Sequence, residues 1–189
     1  KVFNIPFEEV TSKQRSDAKA VNFGIVYGIS DFGLGEQLGI GRKQAKVYIE
    51  QYLEKYEKIK EFMENMKEFA KEKGYVETLF NRRRYIPEMN SNNFMVRQFG
   101  ARVAINAPIQ GTAADIMKIA MIELYKQMKN RKLESKLLLQ IHDELLLEVK
   151  EEEKEIVKEL LITSMENAMK LTVPLKVELS EANNWYDAK

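Results

Sequence analysis

The 189-residue sequence contains no cysteine, and this absence excludes two classes of small protein. Without cysteine the chain can have neither a disulfide framework nor a zinc site built on thiolates. No apolar run is long enough to cross a bilayer, and the first residues do not have the pattern of a signal peptide. We therefore expect a protein of a reducing cytosol that has no membrane partner.

The sequence also has little histidine and almost no net charge. The chain has one His and a formal net charge of +1, although 44% of its residues are hydrophobic, which is enough for a core. The charge is unevenly distributed, because residues 1–150 have a net charge of +5 and residues 151–189 a net charge of −4. This modest basic excess permits a polyanionic partner but does not require one.

The single His lies at the tip of a predicted β-hairpin. Two apolar runs within residues 137–149 flank His142, Asp143 and Glu144, and such runs predict two buried strands that turn back on each other. A metal ion or a cationic partner would compensate the charge at the tip. Because neighbouring side chains of a strand point to opposite faces, we expect Asp143 to be the ligand and Glu144 an outer partner. An ordinary hairpin with a solvated polar turn is the alternative.

A helix predicted from about Lys13 to Tyr27 has a second stripe beside its apolar one. Cations and then aromatic rings recur every four residues, at Arg15, Lys19, Phe23 and Tyr27. Cations are suited to phosphates, and flat rings to sugars and bases. The alternative is a solvated basic turn followed by aromatic side chains in the core. Gly24, inside this helix, suggests a close approach to its backbone, and Gly28 should end the helix.

The rest of the chain is predicted to be mostly helical, with Pro108 interrupting one helical region. The other predicted elements are, in order, a brief helix at residues 7–12, helices over 30–38, 42–56 and about 57–73, a strand over 75–80, an arginine-rich turn at 82–84, helices over 92–106, 110–130 and 151–170, and a last strand over 173–179 beside the hairpin. Arg102, Asn106 and Gln110 are spaced by four and could read base edges in a groove. Helix capping and helix–helix hydrogen bonding are the alternative roles.

Four stretches, in this order, resemble the signature motifs of family A DNA polymerases, the bacterial DNA polymerase I type. They are Arg15–Gly28, Thr78–Arg84, Asn106–Asp115 and Gln140–Glu144. The resemblance covers essentially the whole chain. It implies an α+β, mostly helical fold, with a fingers-like helical region in residues 1–130 and a palm-like part in residues 131–189 that carries the antiparallel hairpin. It also implies a bacterial cytoplasmic protein.

The resemblance implies a role for each residue of the helical stripe. Arg15 would hold the outer phosphates of the incoming deoxynucleotide (dNTP). Lys19 would bind the phosphates nearer the reaction and could protonate the departing pyrophosphate. Phe23 would pack on the nucleotide sugar, and Tyr27 would stack near the template base. These roles agree with phosphoryl transfer, which depends mainly on positioning and charge neutralisation. A mobile helix carrying both cations could also close over the nucleotide.

The resemblance assigns the remaining site residues to DNA and metal. Contacts with primer-template DNA are implied for Tyr27, Gly28, Arg102, Asn106, Gln110 and His142, of which His142 would steady the primer terminus. Asp143 would bind the catalytic Mg²⁺, with Glu144 close by. Lys19, Asp143 and Glu144 are therefore the implied catalytic residues.

One family motif, similar to Asp-Tyr-Ser-Gln-Ile-Glu and bearing a second metal-binding Asp, does not occur in the sequence. The chain starts at Lys1 in the middle of a pattern, so we expect a fragment that is inactive alone and needs the upstream part of the same polymerase. A metal-dependent nuclease and a DNA-binding module without catalysis stay open as alternatives. A single-subunit RNA polymerase is a more distant one.

Overall fold

The computed structural model describes residues 6–188. It is mostly helical and has two small antiparallel hairpins, which confirms the predicted fold class. Its elements are α1 (Ser12–Val26), α2 (Asp31–Leu38), α3 (Arg42–Lys55), α4 (Glu57–Lys73), β1 (Tyr75–Glu77), β2 (Arg83–Tyr85), α5 (Phe94–Asn130), β3 (Lys136–Ile141), β4 (Glu144–Glu148) and α6 (Lys154–Glu166), with short 3-10 helices at Phe7–Glu9, Pro87–Asn90 and Glu151–Glu153. No helix in this described part is long and apolar enough to cross a membrane.

The chain packs as two compact units, residues 1–109 and residues 110–189. The division falls within α5, between Ile109 and Gln110. The family resemblance predicts a boundary between residues 130 and 131, between a fingers-like and a palm-like region. That assignment concerns the polymerase regions rather than packing, and it stays a prediction.

Helix α1 is defined by its ends. The hydroxyl of Thr11 accepts a hydrogen bond from the Gln14 N–H, and the Gln14 side chain accepts one from the Thr11 N–H, which together form a capping box. The helix ends at Val26, and Gly28 has a φ of 75°, a left-handed conformation that favours glycine. The predicted helix from about Lys13 to Tyr27 thus agrees with the structure to within one residue.

Aliphatic side chains of α1 anchor it in the core of the first unit. Val21 and Ile25 are buried there with Leu34 of α2 and with Ala45 and Tyr52 of α3. Because Val21 and Ile25 are four residues apart, they lie on one face of α1, as the apolar periodicity predicts. The opposite side of the helix is left for polar and aromatic groups.

The first hairpin differs from the sequence prediction. The strand expected over residues 75–80 ends at Glu77, because the Thr78 hydroxyl accepts hydrogen bonds from the N–H groups of Phe80 and Arg82 and closes a turn. The expected arginine-rich turn is partly strand β2. Within it Arg83 pairs with Glu77 at 2.9 Å, and this pair accounts for one of the three consecutive cations.

Pro108 does not interrupt α5, contrary to the prediction of two helices over residues 92–106 and 110–130. The helix is continuous from Phe94 to Asn130. A proline removes one helical hydrogen bond and strains the preceding turn. Ile105 before it and Met117 after it are both buried, so packing on each side outweighs this local penalty.

The second hairpin forms as predicted but is not buried as predicted. Strands β3 and β4 pair antiparallel around a two-residue turn, with an irregularity between Leu137 and Leu139. Leu137, Leu145 and Leu147 pack against the core of the second unit, whereas Leu138 is 47% exposed and Leu139 50%. The hairpin therefore has one packed face and one open face.

Near the end of the chain, one predicted element is shorter than expected and another is absent. The helix expected over residues 151–170 is shorter, since α6 spans Lys154–Glu166 after a 3-10 turn. Residues 173–179 do not form a strand. Pro174 lies within that alternating run and lacks the N–H that a sheet ladder needs. The N–H of Val177 instead donates to the Glu166 carboxylate at 3.1 Å.

Candidate functional site

The second stripe of α1 is exposed, with its cations available to a ligand. Arg15 and Lys19 are both exposed, and the side chain of neither forms a hydrogen bond or ion pair with another of residues 6–188. Successive members of the stripe that are four residues apart rise about 6 Å along the helix axis. Two positive charges therefore lie in line along one helix surface, an arrangement that suits a ligand with several phosphates.

Phe23 and Tyr27 continue this surface as a pair of rings. The ring centroids are 6.3 Å apart and the planes are inclined by 17°, so the rings are stacked. Phe23 is 55% exposed and Tyr27 42%, which rules out for this structure the alternative that both rings pack in the core. An exposed aromatic platform beside two cations can pack against sugars and bases.

The end of α1 meets the first half of α5 within the same unit. The Asn106 side-chain amide donates a 3.3 Å hydrogen bond to the main-chain oxygen of Tyr27. A Cβ on Gly28 would lie 3.4 Å from Ile105 Cδ1 and 3.5 Å from Arg102 Cγ. The structure therefore brings Tyr27, Gly28, Arg102 and Asn106 together. Arg102 is exposed, whereas the Oδ1 atom of Asn106 is buried and makes no hydrogen bond with the described part of the chain.

The close approach suggested by Gly24 comes from the chain itself. A Cβ at this position would lie 3.2 Å from Cγ2 of Ile29, at the beginning of the next segment. Gly24 thus allows the chain to fold back tightly after α1. The glycine at this position is therefore explained without a ligand.

Sequence reasoning missed a pair of residues that ties α1 to α3. The hydroxyl of Tyr52 donates a 2.6 Å hydrogen bond to the Asn22 Oδ1 atom. Burial raises the pKa of Tyr52, with a smaller contribution from Tyr56, so the hydroxyl keeps the proton that it donates. A tyrosine in the apolar stripe of α3 was the available signal, because a buried tyrosine hydroxyl usually has a hydrogen-bond partner.

In the second unit, the hairpin turn presents His142 and Asp143. His142 has a φ of 52°, which is uncommon for a residue other than glycine. The Gln140 side-chain amide donates a 2.7 Å hydrogen bond to the His142 carbonyl oxygen and supports this turn. Two-residue hairpin turns commonly require a positive φ at their first central residue, so the turn itself accounts for this conformation.

Asp143 and Glu144 offer the oxygen ligands that Mg²⁺ prefers. Both are exposed, and their carboxylates have no hydrogen-bond or ion-pair partner among residues 6–188. Asp143 lies in the turn and Glu144 opens β4, so the two are adjacent but not equivalent. No group of three or more metal-capable side chains occurs in the described part. Because Mg²⁺ is commonly held by one or two carboxylates together with substrate phosphates, these residues fit part of a site.

A second missed feature holds the base of this hairpin. The Glu153 carboxylate accepts hydrogen bonds from the Ser135 hydroxyl at 2.5 Å, the Ser135 N–H at 2.8 Å and the Glu134 N–H at 2.9 Å. These bonds, led by that from the Ser135 hydroxyl, lower the pKa of Glu153. The Ser135 hydroxyl also accepts from the Lys150 N–H at 3.1 Å. One carboxylate thus fixes the start of β3 near the end of β4.

Gln110 is exposed in α5 and belongs to the second unit, whereas Arg102 and Asn106 belong to the first. The site residues are thus divided between the two units. Arg15, Lys19, Phe23, Tyr27, Gly28, Arg102 and Asn106 lie in the first, and Gln110, His142, Asp143 and Glu144 in the second.

The chain is similar to known polymerases over its whole length. Residues 1–187 match the family model described as DNA polymerase family A. Identity is 53% over 188 residues with DNA polymerase I of Caldicellulosiruptor bescii and 54% over 188 residues with that of Bacillus subtilis; each alignment covers 100% of this chain, but 22% and 21% of those proteins. The chain thus spans about a fifth of the length of these curated relatives.

A solved structure has the same fold. It is the POL domain of Pol1 from M. smegmatis in complex with DNA primer-template and dNTP, with a TM-score of 0.93 and 42% identity over 99% of this chain and 33% of that one. The family resemblance seen in the four sequence motifs is therefore confirmed. This chain belongs to DNA polymerase family A.

Proposed function

We propose that this chain is the nucleotide-binding and primer-binding part of a DNA-directed DNA polymerase, a nucleotidyltransferase of DNA replication and repair. In this reaction the primer 3′ oxygen attacks the α-phosphorus of a dNTP and pyrophosphate departs. The observation that carries the proposal is the exposed α1 stripe, with two unpaired cations followed by two stacked rings. Membership of family A gives this stripe its chemical context.

The stripe suits a triphosphate whose base and sugar lie over the rings. Arg15 binds the outer phosphates through its guanidinium fork, and Lys19 binds those nearer the reacting phosphorus. As the bond to pyrophosphate breaks, negative charge grows on the leaving oxygen. Lys19 neutralises that charge and can give its proton to the leaving group. Phe23 packs on the sugar, and Tyr27 lies next to the template base.

The remaining site residues bind the primer-template. Arg102, Asn106 and Gln110 contact the minor groove and backbone near the primer end, and Gly28 lets the chain pass close to the template beside Tyr27. His142, directed by its hairpin turn, steadies the primer terminus. The DNA primer-template and dNTP in the M. smegmatis complex support the same two partners for this chain.

Asp143 would hold the catalytic Mg²⁺, with Glu144 close by. When bound, Mg²⁺ neutralises phosphate charge and activates the attacking oxygen. Two-metal chemistry needs a further carboxylate, which we propose is supplied by another part of the polymerase. The chain would then be inactive by itself and would work in the bacterial cytoplasm as part of a longer protein. The relatives support the longer protein, because this chain spans only about a fifth of their length.

Primer extension tests this proposal. The chain is assayed with primed DNA, Mg²⁺ and dNTPs, first alone and then as a chimera in which it replaces the aligned segment of Bacillus subtilis DNA polymerase I. We expect no extension by the chain alone and extension by the chimera, lost on Asp143→Asn. A folded chimera without activity would contradict the proposal. Extension by the chain alone would contradict the dependence on other parts.

The same samples separate the other functions. A DNA-binding module would bind DNA with an affinity that falls with salt and does not respond to Mg²⁺ or nucleotide. A nuclease would shorten the labelled primer when Mg²⁺ is added without dNTPs. An RNA polymerase would prefer ribonucleotides. Each result would replace the polymerase proposal with the named alternative.

A further inference from the structure

The hydrogen bond between Tyr52 and Asn22 connects the candidate nucleotide-binding helix to the core of its unit. Asn22 lies in α1 next to Phe23 and one turn after Lys19, whereas Tyr52 lies in α3, thirty residues along the chain. The two atoms are 2.6 Å apart, and only 9% of Tyr52 is exposed. A bond this short from a buried hydroxyl to an exposed side chain of α1 is a specific constraint on that helix.

Apolar contacts alone do not fix the rotation of α1 about its own axis. Val21 and Ile25 hold the helix against α2 and α3, but the attraction between apolar groups has no direction. Apart from the Asn106 bond at Tyr27, which holds only the end of the helix, these contacts favour no single rotation of α1 about its own axis. A hydrogen bond prefers a narrow range of distance and angle, so the Tyr52–Asn22 bond opposes a roll about that axis.

A small roll would matter to the groups on the exposed stripe. At a radius of about 6 Å, a rotation of about 20° displaces a group by about 2 Å. A hydrogen bond forms over a donor–acceptor range of only about 0.5 Å, so a displacement of about 2 Å would weaken the contacts of the stripe with dNTP. Because a roll turns the helix as one body, Arg15, Lys19 and Phe23 would all be displaced together.

We propose that Tyr52 is a positioning residue for dNTP binding, which acts through Asn22 by setting the rotation of α1. Tyr52 does not touch the nucleotide in this scheme. The inference rests on the proposed function, because it assumes that Arg15, Lys19 and Phe23 bind dNTP. It adds Tyr52 of α3 to the residues that determine dNTP binding, although no residue of α3 is proposed to contact the nucleotide.

The test uses the Bacillus subtilis chimera described above and three changes at the bond. Tyr52→Phe removes only the donor hydroxyl, Asn22→Ala removes the acceptor, and the third variant combines both. Tyr56→Phe is the matched control, since Tyr56 packs against Tyr52 with ring centroids 4.7 Å apart, yet its hydroxyl makes no hydrogen bond within the described part of the chain. The readouts are KM for dNTP, kcat, Kd for primed DNA and Tm.

Tyr52→Phe and Asn22→Ala should each raise KM for dNTP about three- to tenfold, the effect of losing one hydrogen bond. Kd for DNA should not change, and Tyr56→Phe should leave KM unchanged. The double variant should be no worse than the more affected single variant, because both changes remove one interaction. If Tyr52→Phe lowers Tm too far for assay, Asn22→Ala alone decides, since Asn22 is exposed.

Three results would overturn the inference while the unaltered chimera stays active. They are an unchanged KM for dNTP in Asn22→Ala, an equal rise in Tyr56→Phe, and single effects that multiply in the double variant. A folded but inactive unaltered chimera would instead contradict the proposed function, and this inference would fall with it. The two failures are thus distinguished by the chimera without further changes.

Discussion

The side-chain amide of Asn106 in α5 donates a hydrogen bond to the main-chain oxygen of Tyr27, at the end of α1. The residues are 79 positions apart in sequence, and both are predicted to contact DNA. One side chain therefore links the end of the proposed nucleotide-binding helix to the helix proposed to follow the primer. Asn106 has a structural role that is present before any ligand binds.

Replacing Asn106 should weaken the first unit. Asn106→Ala removes the bond to Tyr27, so we expect the free energy of unfolding to fall by about 0.5–1.5 kcal/mol. Urea denaturation followed by circular dichroism measures this change. Asn130→Ala, at the exposed end of the same helix, should stay within about 0.5 kcal/mol of the unaltered chain. Equal effects of the two substitutions would show that the Asn106 bond contributes nothing specific.

Gly28 should not tolerate a side chain. Its φ of 75° disfavours any Cβ, so Gly28→Ala should cost about 1–2 kcal/mol of stability. Gly41→Ala is the control, because Gly41 has a φ of −66° and a Cβ there would meet no atom of residues 6–188 within 4 Å. Thermal unfolding of both variants tests this. If both shifted Tm equally, the left-handed conformation would not be the cause.

Removing the Lys19 charge should slow nucleotide addition. In the chimera, Lys19→Ala should reduce kcat about 10²- to 10⁴-fold, since both proton donation and charge neutralisation are lost. Its Kd for primed DNA should change little. Lys43→Ala removes another exposed lysine, in α3, and should leave kcat unchanged. Rapid-quench measurement of single-nucleotide addition gives the rates. An unchanged rate in Lys19→Ala would remove Lys19 from the mechanism.

The bonds to Glu153 should make stability depend on acid pH. Hydrogen bonds from Ser135 and Glu134 lower the pKa of this carboxyl below its usual value of 4.5. A group whose pKa is lower in the folded state stabilises the fold above the unfolded pKa and loses that contribution as pH falls through the folded pKa. Tm of the second unit should therefore drop between about pH 5 and the acid side of the lowered pKa.

Glu153→Gln tests this pH dependence. The variant should have a lower Tm at pH 7 and a flatter decline of Tm below pH 5, because the titrating group is gone. Glu159→Gln, which changes an exposed carboxyl within α6, is the control and should follow the unaltered chain. Scanning calorimetry over the pH range compares the three proteins. A Glu153→Gln profile parallel to that of the unaltered chain would show that Glu153 does not carry the effect.

Local patterns in the sequence predicted most helices well, because their causes are local. The cap at Thr11 and the left-handed glycines Gly28 and Gly74 end or begin helices through their own backbone chemistry. The α1 stripe followed from spacing alone, since a helix brings every fourth residue to nearly the same side. Periodicity alone did not decide whether the rings of this stripe are exposed or packed in the core.

Predictions failed where a local preference competed with packing. Pro108 was expected to break a helix, but buried side chains on both sides hold α5 together. The leucine runs of the hairpin were expected to be buried, but only one face packs against the unit core. In the segment after α6 a local cause was overlooked, since Pro174 interrupts an otherwise strand-like alternation.

The sequence by itself determined the family, the helical stripe of Arg15, Lys19, Phe23 and Tyr27, and the acidic hairpin tip, because each is a pattern within one short stretch. Only the tertiary structure decided that the stripe is exposed, that Asn106 binds the end of α1, and that Tyr52 holds Asn22. These contacts join residues 30 and 79 positions apart. Helical and strand periodicity describes one element at a time, so partners on different elements are known only after the elements have packed.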